Sequence, residues 1–145
     1  MAVDTFVFHR TGGEADWPRF RSDLERALEG GLALEARIAA RAREYASLLH
    51  GSGRPIAPTV VVDNDASADA SVVEVRGPDA VGALYRIARA LSDMRLDIRH
   101  AKVLTLGHEI VDSFYVVDMH GKKLTDADRV SELERAVLFE LSRLR

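Results

Sequence analysis

Gly77-Pro78-Asp79-Ala80-Val81-Gly82-Ala83-Leu84-Tyr85 stands between two different hydrophobic periods. Before it, Val72 to Arg76 alternates between apolar and polar residues, the period of a strand with one buried face. After it, Leu84, Ile87, Ala88, Leu91 and Met94 recur at helical spacing. A turn with a proline and two glycines therefore joins a strand to an amphipathic helix. Such a turn leaves backbone N–H groups free at the helix start, where the carboxylate of a small ligand can be held. The same residues also have a plainer use, with Asp79 capping the helix and the glycines only making the turn.

The segments on either side extend this pattern. Asp97 to Gly107 reads as a strand ending in a turn, and Ile110 to Asp118 as the next strand. Gly121-Lys122-Lys123-Leu124-Thr125 leads into a last helix. Upstream, Thr59–Val62 and Ser71–Arg76 read as a hairpin joined by the loop from Asp63 to Asp69. Phe114 and Val116 should face one side of the sheet, and Ser113, Tyr115 and Val117 the other. Nearer the N-terminus, Asp16 is the expected cap of a helix with Pro18 in its first turn. Phe20, Leu24, Ala27 and Leu28 form its apolar face, and Gly30-Gly31 ends it. A second helix is expected from Leu32 to His50, with Leu34, Ile38, Tyr45 and Leu49 as its stripe. Gly51-Ser52-Gly53-Arg54-Pro55 closes it as a linker.

Taken together, these segments resemble an ACT domain, a small-molecule-sensing module with a ferredoxin-like βαββαβ fold. VVEVRGPDAVGALYRIARAL from Val72, LDIRHAKVLTLG from Leu96 and VDSFYVVDMHGKKLTD from Val111 are similar to the C-terminal ACT region of bacterial PII-protein uridylyltransferases. The likeness is close from Thr59 onward. The resemblance implies an α+β fold, a regulatory role and an amino-acid ligand, with glutamine the ligand of that enzyme family. It also implies a ligand site at Asp79, Ala80, Val81, Gly82, Ala83 and Leu84, facing Ile98, Arg99 and Ala101 of a neighbouring ACT unit. One departure is visible: where the family usually has Pro-Gly in the turn, this chain has Val81-Gly82.

The first thirty residues hold part of a repeat. Val3-Asp4-Thr5-Phe6-Val7 parallels Val111-Asp112-Ser113-Phe114-Tyr115, and Ser22–Ala27 parallels Ser131–Ala136, at offsets of 108 and 109 residues. One shared register suggests two copies of one unit, the first incomplete. The expected organisation is a partial ACT repeat over residues 1–30, a connecting helix and linker over 31–58, and an ACT domain over 59–145. The chain is then a fragment or short reading frame. Its last segment is a helix, so Thr59–Val62 is expected to replace the fourth ACT strand, as a permuted unit. Val3 to Phe8, short of a sheet of its own, is expected to add to a second copy and make a homodimer.

Composition narrows the chemistry. The chain has 145 residues, no cysteine, and 20 basic against 23 acidic residues for a net charge of −3. This excludes a disulfide framework, a thiolate nucleophile and a general polyanion binder. No stretch approaches the roughly 20 apolar residues of a membrane span, and Met1-Ala2-Val3-Asp4 has no signal-peptide character. A small cytoplasmic module is expected. His9, His50, His100, His108 and His120 show no ligand spacing, and Asp63, Asp65 and Asp69 lack the glycine and final glutamate of a calcium loop. Neither a metal nor a cofactor is expected. Ser92, Ser113 and Ser131 sit in no nucleophile pattern, and Glu132, Glu134 and Arg135 read as a solvated helix face. The catalytic domains implied by the resemblance, a nucleotidyltransferase and a histidine-aspartate phosphohydrolase, are absent from this sequence. Catalysis is not expected of the chain itself, and PII would be met only through a longer parent. Two further readings stay open: a structural dimerisation unit without a ligand, and an RNA-binding sheet. The second needs exposed aromatics on the central strands, where Tyr115 is the one good candidate.

Overall fold

A computed structural model describes residues 14–46 and 56–144. The elements run α1 (Trp17–Leu28), α2 (Leu34–Ala46), β1 (Thr59–Asp63), β2 (Ser71–Pro78), α3 (Ala83–Asp93), β3 (Leu96–Lys102), β4 (Thr105–Leu106), β5 (Glu109–Asp118) and α4 (Ala127–Ser142). The boundary between two compact units falls within α2, between Arg37 and Ile38. The expected strand at Val3 to Phe8 and the linker Gly51 to Pro55 lie outside the described residues.

In the smaller unit, Asp16 caps α1 as the sequence suggests, its carboxylate accepting the Arg19 N–H at 3.0 Å. Glu29 ends the helix and Gly30 turns left-handed with φ of 73°. Both copies of the repeated segment, Ser22–Ala27 and Ser131–Ala136, are helical. The second helix begins at Leu34, two residues later than expected. Its continuation from 47 to 50, including Leu49, lies outside the described residues.

The larger unit is α+β and ferredoxin-like. Its sheet has five strands in the order β1-β2-β5-β3, with the two-residue β4 also on β5, and all pairings are antiparallel. β1 lies on the outer edge of β2, from Thr59↔Arg76 to Asp63↔Val72. This is the place that the fourth strand takes in a βαββαβ order, so β1 stands where the permuted arrangement expects it. The carboxylate of Asp63 shapes the hairpin by accepting N–H groups of Asp65 and Ala66 at 2.7 and 3.0 Å.

α3 and α4 cover one face. Val73, Val75, Phe114 and Val116 meet Ile87, Leu91, Leu133 and Val137 there, all 1% exposed or less. Phe114 and Val116 thus share the core face, as their parity dictates. Two details depart from expectation. Leu84 is 46% exposed, and the buried stripe of α3 is Ala83, Ile87, Ala90 and Leu91. The helix presents the face that begins at Ala83, one residue round from Leu84. Glu134 is half-buried and accepts the Val62 N–H at 3.1 Å, tying the edge strand to α4, whereas Glu132 and Arg135 pair on the surface.

Candidate functional site

The turn after β2 is held from two sides. The Asp79 N–H donates to the His108 carbonyl at 2.9 Å, fixing the turn to the β4–β5 connection. The Ala83 N–H donates to the Ala80 carbonyl at 3.1 Å, and Gly82 adopts φ 92° and ψ 1°. These are the marks of a type II turn over Ala80-Val81-Gly82-Ala83, with glycine at the position that demands positive φ. Proline is favoured at the position held by Val81, so the Pro-Gly pair of the resemblance and the Val-Gly pair here make the same turn.

Gly82 is also the N-cap of α3, and no side chain caps this helix. Asp79 is exposed and does not cap it, which corrects the sequence expectation. The type II turn puts three residues between Asp79 and the first helical residue, so the carboxylate falls short of the helix start. The Ala83 and Arg86 N–H groups are satisfied by the Ala80 and Gly82 carbonyls, and among the described residues no side chain caps the helix. That end of α3 carries a partial positive charge. A Cβ at Gly82 would stand 2.5 Å from Cγ2 of Ile38, so the position is closed to larger residues by space as well as by φ.

One buried residue of β5 has no counterpart among the site residues expected from the sequence. Asp112 is 2% exposed and lies on the core face of β5, opposite Val75 and in line with Ile110 and Phe114. Its Oδ1 accepts the Leu104 N–H at 3.1 Å, and the Val111 N–H closes on the Leu104 carbonyl at 2.8 Å. Burial raises its pKa, the Leu104 hydrogen bond works against that, and the charge of Asp79 adds to the rise. The signal was present in the parity of β5: a carboxylate two residues before Phe114 must face the core.

The other expected site residues lie elsewhere. Ile98 is half-buried against the core, while Arg99 and Ala101 are exposed on the edge strand β3. Ile98 and Ala101 pair with Val116 and Phe114, whereas the turn lies at the opposite end of β5, where Gly77 and Pro78 pair with Ile110 and Glu109. Within one chain the structure does not bring these strand residues to the turn. Among the described residues, no group of three His, Asp or Glu side chains is arranged to hold a metal ion, and no helix is long and apolar enough to cross a membrane.

An antiparallel sheet under two helices, with a glycine turn leading from β2 into α3, defines a small ferredoxin-like α+β module, and comparison agrees. Residues 59–144 match the family described as ACR9-like, ACT-like domain, and the chain belongs to the ACT-like domain family. Its curated relatives include proteins named bifunctional uridylyltransferase/uridylyl-removing enzyme. That of Phenylobacterium zucineum is 37% identical over 99% of this chain and 16% of its own length. That of Streptomyces coelicolor is 42% identical over 90% of this chain and 15% of its own length. That of Caulobacter vibrioides is 36% identical over 97% of this chain and 15% of its own length. The chain thus spans about one sixth of the length of these relatives. No solved structure matches it.

Proposed function

We propose that this chain is an amino-acid-sensing regulatory module, the glutamine-sensing part of a cytoplasmic PII uridylyltransferase that acts in nitrogen regulation. The observation that carries the reading is the start of α3. Gly82 is left-handed and leads directly into the helix, and it supplies no side-chain cap. A ligand carboxylate suits the helix N–H groups, and Asp79 offers an exposed partner for the ammonium group. The dipole of α3 adds about 0.3–1 kcal/mol at such an exposed terminus.

In this reading residues 1–30 end a first ACT repeat, 31–58 connect, and 59–145 form the sensing domain. A homodimer, or a neighbouring ACT unit, supplies Ile98, Arg99 and Ala101 from a second sheet. The position of β3 at the edge of its sheet supports such pairing. Catalysis and contact with PII belong to a longer parent protein; the chain itself carries out neither transfer nor removal of uridylyl groups. No part of the reading calls for nucleic acid, a membrane or a cofactor.

Isothermal titration of the purified chain with L-glutamine tests the proposal. Saturable heat that is lost in Gly82→Leu, with a folded variant, supports it. A folded dimer that gives no heat at millimolar glutamine favours the second reading, a dimerisation unit without a ligand. Ile38 against Gly82 is the observation on that side.

A further inference from the structure

Ile38 fills the space beside the α3 turn. It lies in α2 and is the first residue that groups with the larger unit. Its Cγ2 stands 2.5 Å from the place that a Cβ on Gly82 would take, and its Cβ stands 4.0 Å from it. Non-bonded carbons do not meet within 3.0 Å, so it is the bare α-carbon of glycine that lets the methyl group reach the backbone here.

That space has a second claimant. In the function proposed above, the ligand carboxylate lies against the same turn. A ligand atom entering on the side of the missing Cβ meets Ile38 Cγ2 at a distance where repulsion outweighs any contact energy. The methyl group and the ligand therefore exclude each other on that side of Gly82.

The methyl group is the more easily moved of the two walls. The turn is fixed from both sides, by the Asp79 N–H on the His108 carbonyl and the Ala83 N–H on the Ala80 carbonyl. Over residues 38–45, by contrast, Ile38 and Ala42 are half-buried on one face of α2, and the others are exposed. On the exposed side Arg41 Nη1 is 2.8 Å from Glu44 Oε2, and the guanidinium lies 4.8 Å from the Tyr45 ring centroid. These contacts stay within the helix and survive its displacement. Burial energy follows apolar area, and two half-buried side chains hold the stretch down only weakly.

We infer that residues 38–45 of α2 form a lid on the α3 turn, with Ile38 as its plug, and that the ligand binds only when Ile38 has left Gly82. The inference rests on the turn as the glutamine site. The apparent affinity for glutamine is then lowered in proportion to the fraction of chains with the lid shut.

Methyl-resolved NMR and isothermal titration of the full chain with L-glutamine test this. In the free chain a nuclear Overhauser effect is expected between the Ile38 Cγ2 methyl group and the Gly82 α-protons. It should vanish at saturating glutamine. Ile38→Ala removes the plug at a position where alanine favours the helix, and should bind glutamine about fivefold more tightly or better. Ile38→Leu, whose branch lies one carbon further out, should act in the same direction. Ile38→Val keeps the Cγ2 methyl group and should bind as the parent does. No contact in the free chain, a contact that persists at saturation, or equal affinity of Ile38→Ala and the parent overturns the inference and leaves glutamine binding standing. Heat from Ile38→Ala alone supports it, with the lid shut in the parent. No heat from either chain removes the glutamine site and the lid's role with it.

Discussion

The two helices that cover the sheet begin in opposite ways. α4 opens on Asp126 in an extended conformation, and its Oδ1 accepts the Arg129 N–H at 2.9 Å. α3 opens on Gly82 in a left-handed conformation with no side chain to accept anything. Both helices bury their faces equally well, with Ile87, Leu91, Leu133 and Val137 fully covered. The difference is therefore one of termini. α1 follows the pattern of α4, with Asp16 as its cap. Two helices of this chain thus open on an aspartate cap, and α3 opens on a glycine that cannot supply one.

Five substitutions can break or sharpen that contrast. Gly82→Leu should have the largest effect. A residue with Cβ at φ 92° is strained by roughly 1–2 kcal/mol, and the crowding against Ile38 adds to it. The urea midpoint should fall, and glutamine heat should vanish. A midpoint equal to that of the parent would mean that the turn does not need its left-handed residue.

Asp126→Ala comes next, at about 1 kcal/mol for a lost cap, against a change within about 0.5 kcal/mol for Asp79→Ala at an exposed position without a capping role. Paired chemical denaturation curves decide. Equal losses would mean that Asp79 caps α3 after all. Val81→Pro should stabilise by about 0.4–1 kcal/mol, because proline suits the second position of a type II turn and restricts the unfolded chain. A loss in thermal melting would contradict the turn type.

The smallest effect is a slope. Asp112 lies near the start of β5, opposite Val75, and Asp118 ends the same strand. The pKa of Asp112 is raised, chiefly by burial, so the folded state holds its proton more tightly than the unfolded chain does. Its contribution is present below the ordinary aspartate value of 3.8 and is lost as pH rises through the higher folded value. Asp118 is lowered, first by the Lys122 N–H that it accepts, so its contribution is lost as pH falls through the folded value. In Asp112→Asn, melting temperature should therefore fall less steeply than in the parent as pH rises from about 4. Parallel curves would show that Asp112 does not titrate differently in the folded state.

The parts of this fold that were legible in the sequence are those governed by one period at a time. The alternation at Val72–Arg76 and around Phe114 gave the central strands, and the short acidic loop gave the hairpin that replaces the fourth strand. The helix caps Asp16 and Gly30 were visible for the same reason: each acts on its own neighbours. The candidate site was less legible because its shape depends on a turn inserted between strand and helix. Asp79 looks like a cap by its type and place, and loses that role only because Ala80–Ala83 turn first. Leu84 looks like core by its spacing from Ile87, but the helix faces the sheet through Ala83. Asp112 was legible by its parity with Phe114, and only its charged type argued for the other face. The neighbour relations of β3 could not be read from any local pattern, because they depend on a register shift against β5.

The edge position of β1 has a consequence for how the chain finds its fold. In an unpermuted βαββαβ order the outer partner of the first strand comes last, after both helices. Here that partner is adjacent in sequence, closing from Asp63↔Val72 outward. Loop closure costs less entropy over short spans, and chains rich in local pairings fold faster. The slow search is thereby moved inward, to the meeting of β2 with β5, whose first pair joins Ser71 to Val116. The hairpin can be in place before that meeting, offering β5 a two-stranded template with its outer edge already covered. The permutation thus removes a late, long-range step from folding and spares the nascent sheet one exposed border.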